Sequence, residues 1–325
     1  MIMSRTPLRI TFVGGGTDLP AYFREHGPGA VVSAAINRYI HIAVNRKFDS
    51  AFRVSYSTTE IVDRVEDIKH PSVREALKLL DIRGGIEIVS ISDVPSRGTG
   101  LGSSSSFLVG LLNALHAYLG EYASPKQLAE EAVKIEREIL GEPGGLQDQY
   151  MAAYGGLKVM KFHGNGNVTI DPVIATEGFL KELQDNMILL YTGIERSSTS
   201  IHVSQNKHIK RMLKNYESMK ELVDELLSSI QDGSIQEVGR IMHKNWLLKK
   251  ELTDGISDES IDSVYDSAMG CGAYGGKLIG AGGGGFLLFI APKDAQERIV
   301  GSFPSLRREE FRLDFRGSRI VFVGD

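Results

Sequence analysis

Three clusters of glycine constrain the fold of this chain more than any other feature of its sequence. The 325 residues include 36 glycines, and short runs of them stand at residues 14–16, 98–102 and 280–285. Glycine adopts backbone conformations with positive φ that other residues avoid, and its missing side chain lets a ligand or another segment approach the backbone. The sequence therefore predicts strands and helices that are joined at three glycine-rich bends.

The second cluster has the setting of a phosphate-binding loop. It lies between a predicted strand, Ile86–Ile91, and a predicted helix whose apolar residues recur from Phe107 onward. Loop amides and the free N–H groups of a helix start bind anions, and serine hydroxyls reach phosphate or metal. The predicted ATP-binding residues of this loop are Gly98, Gly100, Leu101, Gly102, Ser103, Ser104 and Ser105. A flexible linker that ends in an N-capping serine is the alternative.

This loop lacks the lysine of a Walker A motif. No Gly-Lys-Ser or Gly-Lys-Thr occurs anywhere in the chain. A phosphate site built here must therefore take its positive charge from another part of the protein.

Two acidic residues downstream of the loop are candidates for phosphoryl-transfer chemistry. Glu136 lies at the edge of the apolar face of a helix predicted to start at Ser124 and Pro125, and Asp148 follows a glycine-rich turn. One acid can hold Mg²⁺ while the other faces a substrate hydroxyl as base or orienting group. A solvated glutamate and a turn-forming aspartate remain the alternatives.

The first glycine cluster separates a basic residue from an acidic one. Arg9 and Asp18 stand nine positions apart across residues 14–16. Arginine can neutralise a phosphoryl group, and aspartate can accept hydrogen bonds from a polyol. A surface salt bridge explains the two residues equally well.

The third glycine cluster formally matches the dinucleotide-binding fingerprint but has the wrong setting. That fingerprint opens a helix, whereas residues 280–285 run into an apolar strand, Phe286–Ile290. A nicotinamide-dependent oxidoreductase is therefore a minor alternative. Consecutive glycines between strands predict that another element packs over this backbone, and a sheet bend without a ligand is the other interpretation.

Charge and cysteine content exclude several classes of protein. The net charge of −4 without a long basic run argues against a nucleic-acid partner. Cys271 is the only cysteine, so a disulfide framework or a multi-thiolate metal site is excluded. The least polar stretch, residues 278–292, is too short to span a bilayer. We therefore expect a cytoplasmic enzyme with no membrane partner.

Taken together, the motifs resemble those of the GHMP kinases over essentially the whole chain. Pro95 with residues 100–105 resembles the phosphate loop of that family, and residues 282–285 resemble its C-terminal glycine motif. The twelve-residue spacing from Glu136 to Asp148 and the nine-residue spacing from Arg9 to Asp18 are similar to those of galactokinases. Residues 14–16 replace a Gly-Glu-His of galactokinases, which puts galactose in doubt as the substrate.

The resemblance implies a fold and a set of residue roles. The implied fold class is α+β with two domains: residues 1–175 as a mixed α/β domain with the phosphate loop, and residues 176–325 as a ferredoxin-like α/β plait. The implied cofactors are ATP and Mg²⁺, with Ser104 and Glu136 as metal ligands and with Asp148 and Arg9 as catalytic residues. The implied substrate contacts are Gly16, Thr17, Asp18, Arg196, Ser197, Gly283 and Gly284.

Within the family, the opening segment and residues 191–198 resemble the subgroup that acts on heptose 7-phosphates. That resemblance implies ATP-dependent phosphorylation of the anomeric hydroxyl of D-glycero-D-manno-heptose 7-phosphate, giving the 1,7-bisphosphate used to make nucleotide-activated heptose. Arg196, with Ser197 and Ser198, is a candidate anchor for a phosphate already on the sugar, and a salt bridge at a helix start is the alternative. The alternatives are a fucokinase-like or other sugar 1-kinase and, from another class, a non-catalytic sensor of sugar and ATP. The sequence leaves the oligomeric state open, and a homodimer is one assembly that it allows.

Overall fold

The computed structural model describes residues 1–95, 98–194 and 198–324, and two β-sheets organise them. The larger sheet has eight strands. These are β1 (Ile2–Val13), β2 (Gly29–Arg46), β3 (Phe52–Ser55), β4 (Thr59–Val62), β5 (Ile86–Ser92), β6 (Leu157–Phe162), β7 (Val168–Pro172) and, from the other end of the chain, β12 (Arg319–Val323).

The long strand β2 is the centre of this sheet. The strand order is β12-β1-β2-β5-β3-β4, and β2 pairs with β6 through residues 29–34 and with β5 through residues 40–46. All pairs are antiparallel except β3 with β5. The hairpin predicted around residues 164–166 is confirmed as β6 and β7.

Five helices in the described residues accompany the first half of the chain. They are α1 (Pro20–Phe23), α2 (Pro71–Leu79), α3 (Ser103–Tyr118), α4 (Pro125–Val133) and α5 (Gln147–Tyr154). Helix α4 starts as predicted, because the Ser124 side chain accepts a hydrogen bond from the Gln127 amide. After Val133 the helix widens into a π-helical turn, Lys134–Ile139.

The smaller sheet confirms the ferredoxin-like plait. Its strands are β8 (Met187–Tyr191), β9 (Gly275–Leu278), β10 (Phe286–Ile290) and β11 (Arg307–Glu309), in the antiparallel order β11-β8-β10-β9. The plait helices and those around them are α6 (Glu177–Asn186), α7 (Ser198–His208), α8 (Leu213–Gln231), α9 (Ile235–Lys250), α10 (Glu259–Gly270) and α11 (Lys293–Ser302). No helix of the described residues is long and apolar enough to cross a membrane.

The last strand returns to the first sheet. Ile2 pairs with Val323, and the backbone N–H of Gly324 donates to the Met1 carbonyl at 2.8 Å. A linear division into residues 1–175 and 176–325 did not anticipate this exchange, because it assigned β12 to the second domain. The boundary near residue 175 stays a prediction for the rest of the chain.

Candidate active site

A cavity of about 700 Å³ lies where the three glycine clusters meet. Residues of all three clusters line it: Gly15 and Gly16, residues 98–105 except Leu101, and residues 280–284 except Gly283. The sequence places these segments far apart, and the fold brings them together around a shared space. The ionisable residues that line the cavity are Arg9, Asp18, Glu136, Arg137, Glu142, Asp148, His202, Lys249 and Lys277.

Arg9 and Asp148 form a two-point ion pair at this cavity. The Nε of Arg9 donates to Oδ1 of Asp148 at 2.7 Å, and Nη2 donates to Oδ2 at 2.8 Å. The third donor, Nη1, bonds to the carbonyl of Gly100 in the phosphate loop. The Asp148 side chain, in the first turn of α5, is 24% exposed against 7% for Arg9. Of the two side chains, the Asp148 carboxylate is therefore the more accessible to a substrate in the cavity.

The second and third glycine clusters pack backbone against backbone. A Cβ added to Gly100 would overlap the carbonyl oxygen of Ile279, and one added to Gly285 would overlap that of Thr99. Gly100 and Gly280 also have positive φ, +74° and +83°. The prediction that another element covers residues 280–285 is confirmed, and that element is the phosphate loop.

The phosphate loop has the backbone form that its glycines predict. Gly98, Gly100 and Gly102 all have positive φ, and α3 begins directly afterwards at Ser103. Of the predicted loop residues, all line the cavity except Leu101, whose side chain is fully buried. Leu101 instead uses its carbonyl to accept a hydrogen bond from the Arg9 amide at 3.0 Å, which ties the loop to β1.

Glu136 is more buried than a regular helix would make it. A regular α-helix turns by 100° per residue and would place Glu136 at the edge of the apolar face. The π-helical turn at this point changes that angle, and the side chain is only 1% exposed. Among the described residues, Oε2 accepts hydrogen bonds from Ser105 at 2.8 Å and from Gln149, whereas Oε1 accepts only from Ser104, at 3.2 Å. Oε1 is therefore the oxygen available to a metal ion.

The residues around Glu136 fit Mg²⁺ that is shared with a nucleotide. Mg²⁺ is commonly held by one or two carboxylates together with phosphate oxygens. Glu136 and Ser104 supply one carboxylate and one hydroxyl, and the described residues contain no group of three or more His, Cys, Asp or Glu that could hold a metal alone. The predicted ligand pair is thus chemically suited to Mg²⁺, and its metal binding stays a prediction.

We expect Glu136→Gln to raise the Mg²⁺ concentration required for half-maximal turnover by about tenfold or more. Glutamine keeps the shape and can still accept from the serines, but it removes the negative charge. Turnover measured against Mg²⁺ at constant ATP checks this. Glu138→Gln, an exposed residue of the same turn, is the control. An unchanged Mg²⁺ dependence in Glu136→Gln would exclude Glu136 as a ligand.

Asp18 is held rigidly at the wall of the cavity. Its Oδ1 accepts from the Gly16 amide at 2.8 Å, and its Oδ2 accepts from the Gln147 amide and side chain at 3.2 and 3.1 Å. The side-chain oxygen Oε1 of Gln147 in turn accepts hydrogen bonds from the hydroxyls of Thr11 at 2.6 Å and Ser33 at 3.0 Å. Gln147 was not predicted as a site residue, although its position next to Asp148 in the sequence could have indicated it.

Two predicted substrate contacts do not line the cavity. Thr17 is fully buried, and its hydroxyl lies 2.8 Å from the Gly14 carbonyl and 2.9 Å from the Ala30 carbonyl. The Gly283 amide bonds to the Ile256 carbonyl at 2.9 Å. Both residues shape turns and do not line the cavity, so their contact with a substrate stays a prediction.

The other four predicted substrate contacts divide evenly. Gly16 and Gly284 line the cavity, as predicted. Arg196 and Ser197 lie outside the described residues, so their role in phosphate binding stays a prediction.

Two buried lysines add positive charge to the cavity wall, and neither was predicted from the sequence. Lys249 of α9 and Lys277 of β9 are 3% and 1% exposed, and the Nζ of Lys249 donates to the Gly280 carbonyl. Burial, reinforced by the positive Arg9, lowers the pKa of Lys249 to about 8. Burial also lowers the pKa of Lys277, and the positive Lys249 adds to that effect. The signal for Lys277 was a lone charge in an apolar strand.

Two sequence models of known protein families match parts of this chain. The sequence model described as GHMP kinases N terminal domain matches residues 68–156, and the one described as GHMP kinases C terminal matches residues 219–306. The two matches contain the phosphate loop with both candidate acids, and the third glycine cluster.

Individual relatives extend the similarity to the whole chain. The D-glycero-alpha-D-manno-heptose 7-phosphate kinase of Campylobacter jejuni is 31% identical over 95% of this chain and 94% of its own length. The L-fucokinase/L-fucose-1-P guanylyltransferase of Bacteroides fragilis is 27% identical over 92% of this chain but only 35% of its own length. A crystal structure of a D-glycero-D-manno-heptose 1-phosphate kinase from Bacteroides thetaiotaomicron shares the fold, with a TM-score of 0.83 over 100% of both chains at 22% identity. The chain therefore belongs to the GHMP kinase family and is an ATP-dependent phosphotransferase.

Proposed function

We propose that this kinase transfers the terminal phosphate of ATP to the anomeric hydroxyl of a phosphorylated sugar, with D-glycero-D-manno-heptose 7-phosphate as the favoured acceptor. The observation that carries the proposal is the Arg9–Asp148 pair, whose carboxylate faces a cavity shared with the phosphate loop and Asp18. The similarity to the Campylobacter jejuni heptose 7-phosphate kinase supports the choice of sugar.

We assign the nucleotide end of the cavity to the phosphate loop. The amides at 98–102 and the start of α3 would bind the ATP phosphates, where the free N–H groups and the helix dipole favour negative charge. Ser104 and Glu136 would hold Mg²⁺, which neutralises phosphate charge when it is bound. Phosphoryl transfer has a loose transition state, so positioning and charge neutralisation provide most of the catalysis.

We assign the acceptor end to Asp148, Arg9 and Asp18. Asp148 would orient the anomeric hydroxyl and accept its proton as the oxygen bonds to the terminal phosphorus and the bond to ADP breaks. Arg9 fixes the carboxylate in one rotamer by its two hydrogen bonds, and it adds positive charge beside the phosphoryl group. Asp18, held by three N–H donors, would accept hydrogen bonds from sugar hydroxyls.

A fucokinase-like sugar 1-kinase is the second candidate function. The similarity to the Bacteroides fragilis protein covers 92% of this chain, and this observation favours it. The two candidates share the reaction and differ in whether the acceptor already carries a phosphate.

The proposal also has a cellular setting. We propose a cytoplasmic location, because ATP and sugar phosphates are cytoplasmic metabolites. A homodimer stays a hypothesis, which sedimentation of the purified protein would test.

A sugar panel tests the choice of acceptor. We expect kcat/KM for D-glycero-D-manno-heptose 7-phosphate to exceed that for the unphosphorylated heptose and for L-fucose by about a hundredfold or more, because a site built for a charged group rejects the acceptor that lacks it. ADP release measures the rates, and phosphorus NMR of the product identifies the phosphorylated hydroxyl. Highest efficiency on L-fucose would replace the first candidate with the second, and a product phosphorylated elsewhere than the anomeric carbon would refute both.

A further inference from the structure

Two buried cations of the cavity have no carboxylate partner among the described residues. The two arginines of the cavity do have such partners: Arg9 is paired with Asp148, and Nη2 of Arg137 lies 3.7 Å from Oε2 of Glu136. Among the residues that the structure describes, Lys249 bonds only to the Gly280 carbonyl, and Lys277 has neither an ion pair nor a hydrogen bond although it lines the cavity. A buried ammonium group is costly unless it is paired. Both lysines are therefore matched to an anion that enters the cavity.

The face of α9 that carries Lys249 lies against the turn that we assign to the acceptor. Asn245 precedes Lys249 by four residues on α9, so both occupy the same helix face. The Asn245 Oδ1 accepts a hydrogen bond from the Gly14 amide at 2.9 Å, which places this face against the turn that carries Asp18. The second lysine reaches the same face from β9.

Strand β9 directs Lys277 toward α9. Gly275 packs so closely on this helix that an added Cβ would overlap the Gly239 carbonyl. Side chains alternate along a strand, so Lys277 shares the face of Gly275. Burial lowers the pKa of both lysines, and the Asp18 carboxylate acts in the opposite direction on both. Both lysines therefore face the cavity from the α9–β9 contact and lie within electrostatic range of Asp18.

We propose that Lys249 and Lys277 form an anion subsite that binds the phosphate which the acceptor already carries. This inference rests on the proposed function for the presence of an acceptor, and it deepens that function by naming the group that selects a sugar phosphate over a free sugar. A phosphate monoester is a dianion and matches two ammonium groups in charge. The buried setting strengthens the attraction, because water screens it little.

The test compares acceptors with and without their phosphate. In Lys277→Met, which keeps the length of the side chain and removes its charge, kcat/KM for D-glycero-D-manno-heptose 7-phosphate is expected to fall about a hundredfold. For the unphosphorylated heptose it is expected to change less than about threefold, with the KM for ATP unchanged. Lys249→Met is the second variant and is expected to act in the same direction. Lys244→Met, on the exposed side of α9, is the control.

A binding measurement separates the subsite from catalysis. Trp246 is the only tryptophan and lies on α9 between Asn245 and Lys249, so its fluorescence reports on this region. Without nucleotide, we expect inorganic phosphate and mannose 6-phosphate to bind the wild type at least about tenfold more tightly than either lysine variant. A thermal melt of each variant verifies that it is folded, and removal of an unpaired buried charge is expected to raise the melting temperature.

The outcomes distinguish this inference from the proposed function. If heptose 7-phosphate is not a substrate but another sugar phosphate shows the same lysine-dependent preference, the proposed acceptor fails and the subsite stands. If the variants lose phosphorylated and free sugars equally, or if their KM for ATP rises instead, the lysines serve the nucleotide and the subsite is refuted. Unchanged phosphate binding in both variants would refute it as well.

Discussion

Asp148→Asn is expected to lower kcat by about a thousandfold while ATP affinity stays within about twofold. Asparagine keeps the shape of the side chain but cannot take the proton of the anomeric hydroxyl. It also presents an amide N–H₂ to Arg9, so one of the two hydrogen bonds at 2.7 and 2.8 Å is lost and the rotamer is no longer fixed. Positioning and proton transfer therefore fail together. ADP release measures kcat, and titration calorimetry with an ATP analogue measures the affinity.

The control for this variant is Asp224→Asn, because Asp224 is an exposed residue of α8. Its kcat is expected to equal that of the wild type. Turnover of Asp148→Asn within about tenfold of wild type would remove the carboxylate from the mechanism, since loss of a general base typically costs more than that. A parallel loss of ATP affinity would instead indicate that Asp148 supports the nucleotide site.

Gly100→Ala is expected to destabilise the protein by about 3 kcal/mol or more and to lower kcat/KM by about a hundredfold. Gly100 has a φ of +74°, and its added Cβ would overlap the carbonyl oxygen of Ile279, which belongs to backbone and cannot rotate away. The two glycine loops would have to separate. Separation would displace the Gly100 carbonyl from Arg9 and would shift the phosphate loop from the cavity. Urea unfolding and steady-state kinetics measure the two effects.

Gly120→Ala is a matched control for the backbone angle alone. Gly120 has a φ of +79°, nearly that of Gly100, but an added Cβ would meet nothing within 4 Å. We expect this control to lose only about 1 kcal/mol and no activity. If both variants lost equal stability, the overlap with Ile279 would contribute nothing, and the close packing of the two loops would not be essential.

The glycine pattern predicted the backbone of the loops well because its meaning is local. Positive φ at Gly98, Gly100 and Gly102 is a property of each residue, and the crossing of two glycine-rich loops requires small residues on both. The family resemblance correctly identified a GHMP kinase, and with it the two-domain fold. The Arg9–Asp148 contact joins residues that are 139 positions apart, so its geometry became visible only in the folded chain.

Features that depend on the packing of distant elements were missed. Lys249 and Lys277 meet only because α9 lies on β9, and in the sequence Lys249 is an ordinary cation near a helix end, where it complements the helix dipole. The burial of Glu136 was underestimated because a π-helical turn replaces the regular α-helix. Hydrophobic periodicity assumes a constant angle per residue and cannot signal such a turn.

The pairing of β12 with β1 has a consequence for how the protein is made. A chain grows on the ribosome from its N-terminus, so β1 is synthesised more than three hundred residues before its partner β12. Contacts between such distant segments slow folding, because a long loop must close before they form. Until β12 has been synthesised, the outer edge of β1 is an unpaired strand that can recruit other chains. We therefore expect the incomplete chain to need a chaperone that covers the open edge of β1 during synthesis.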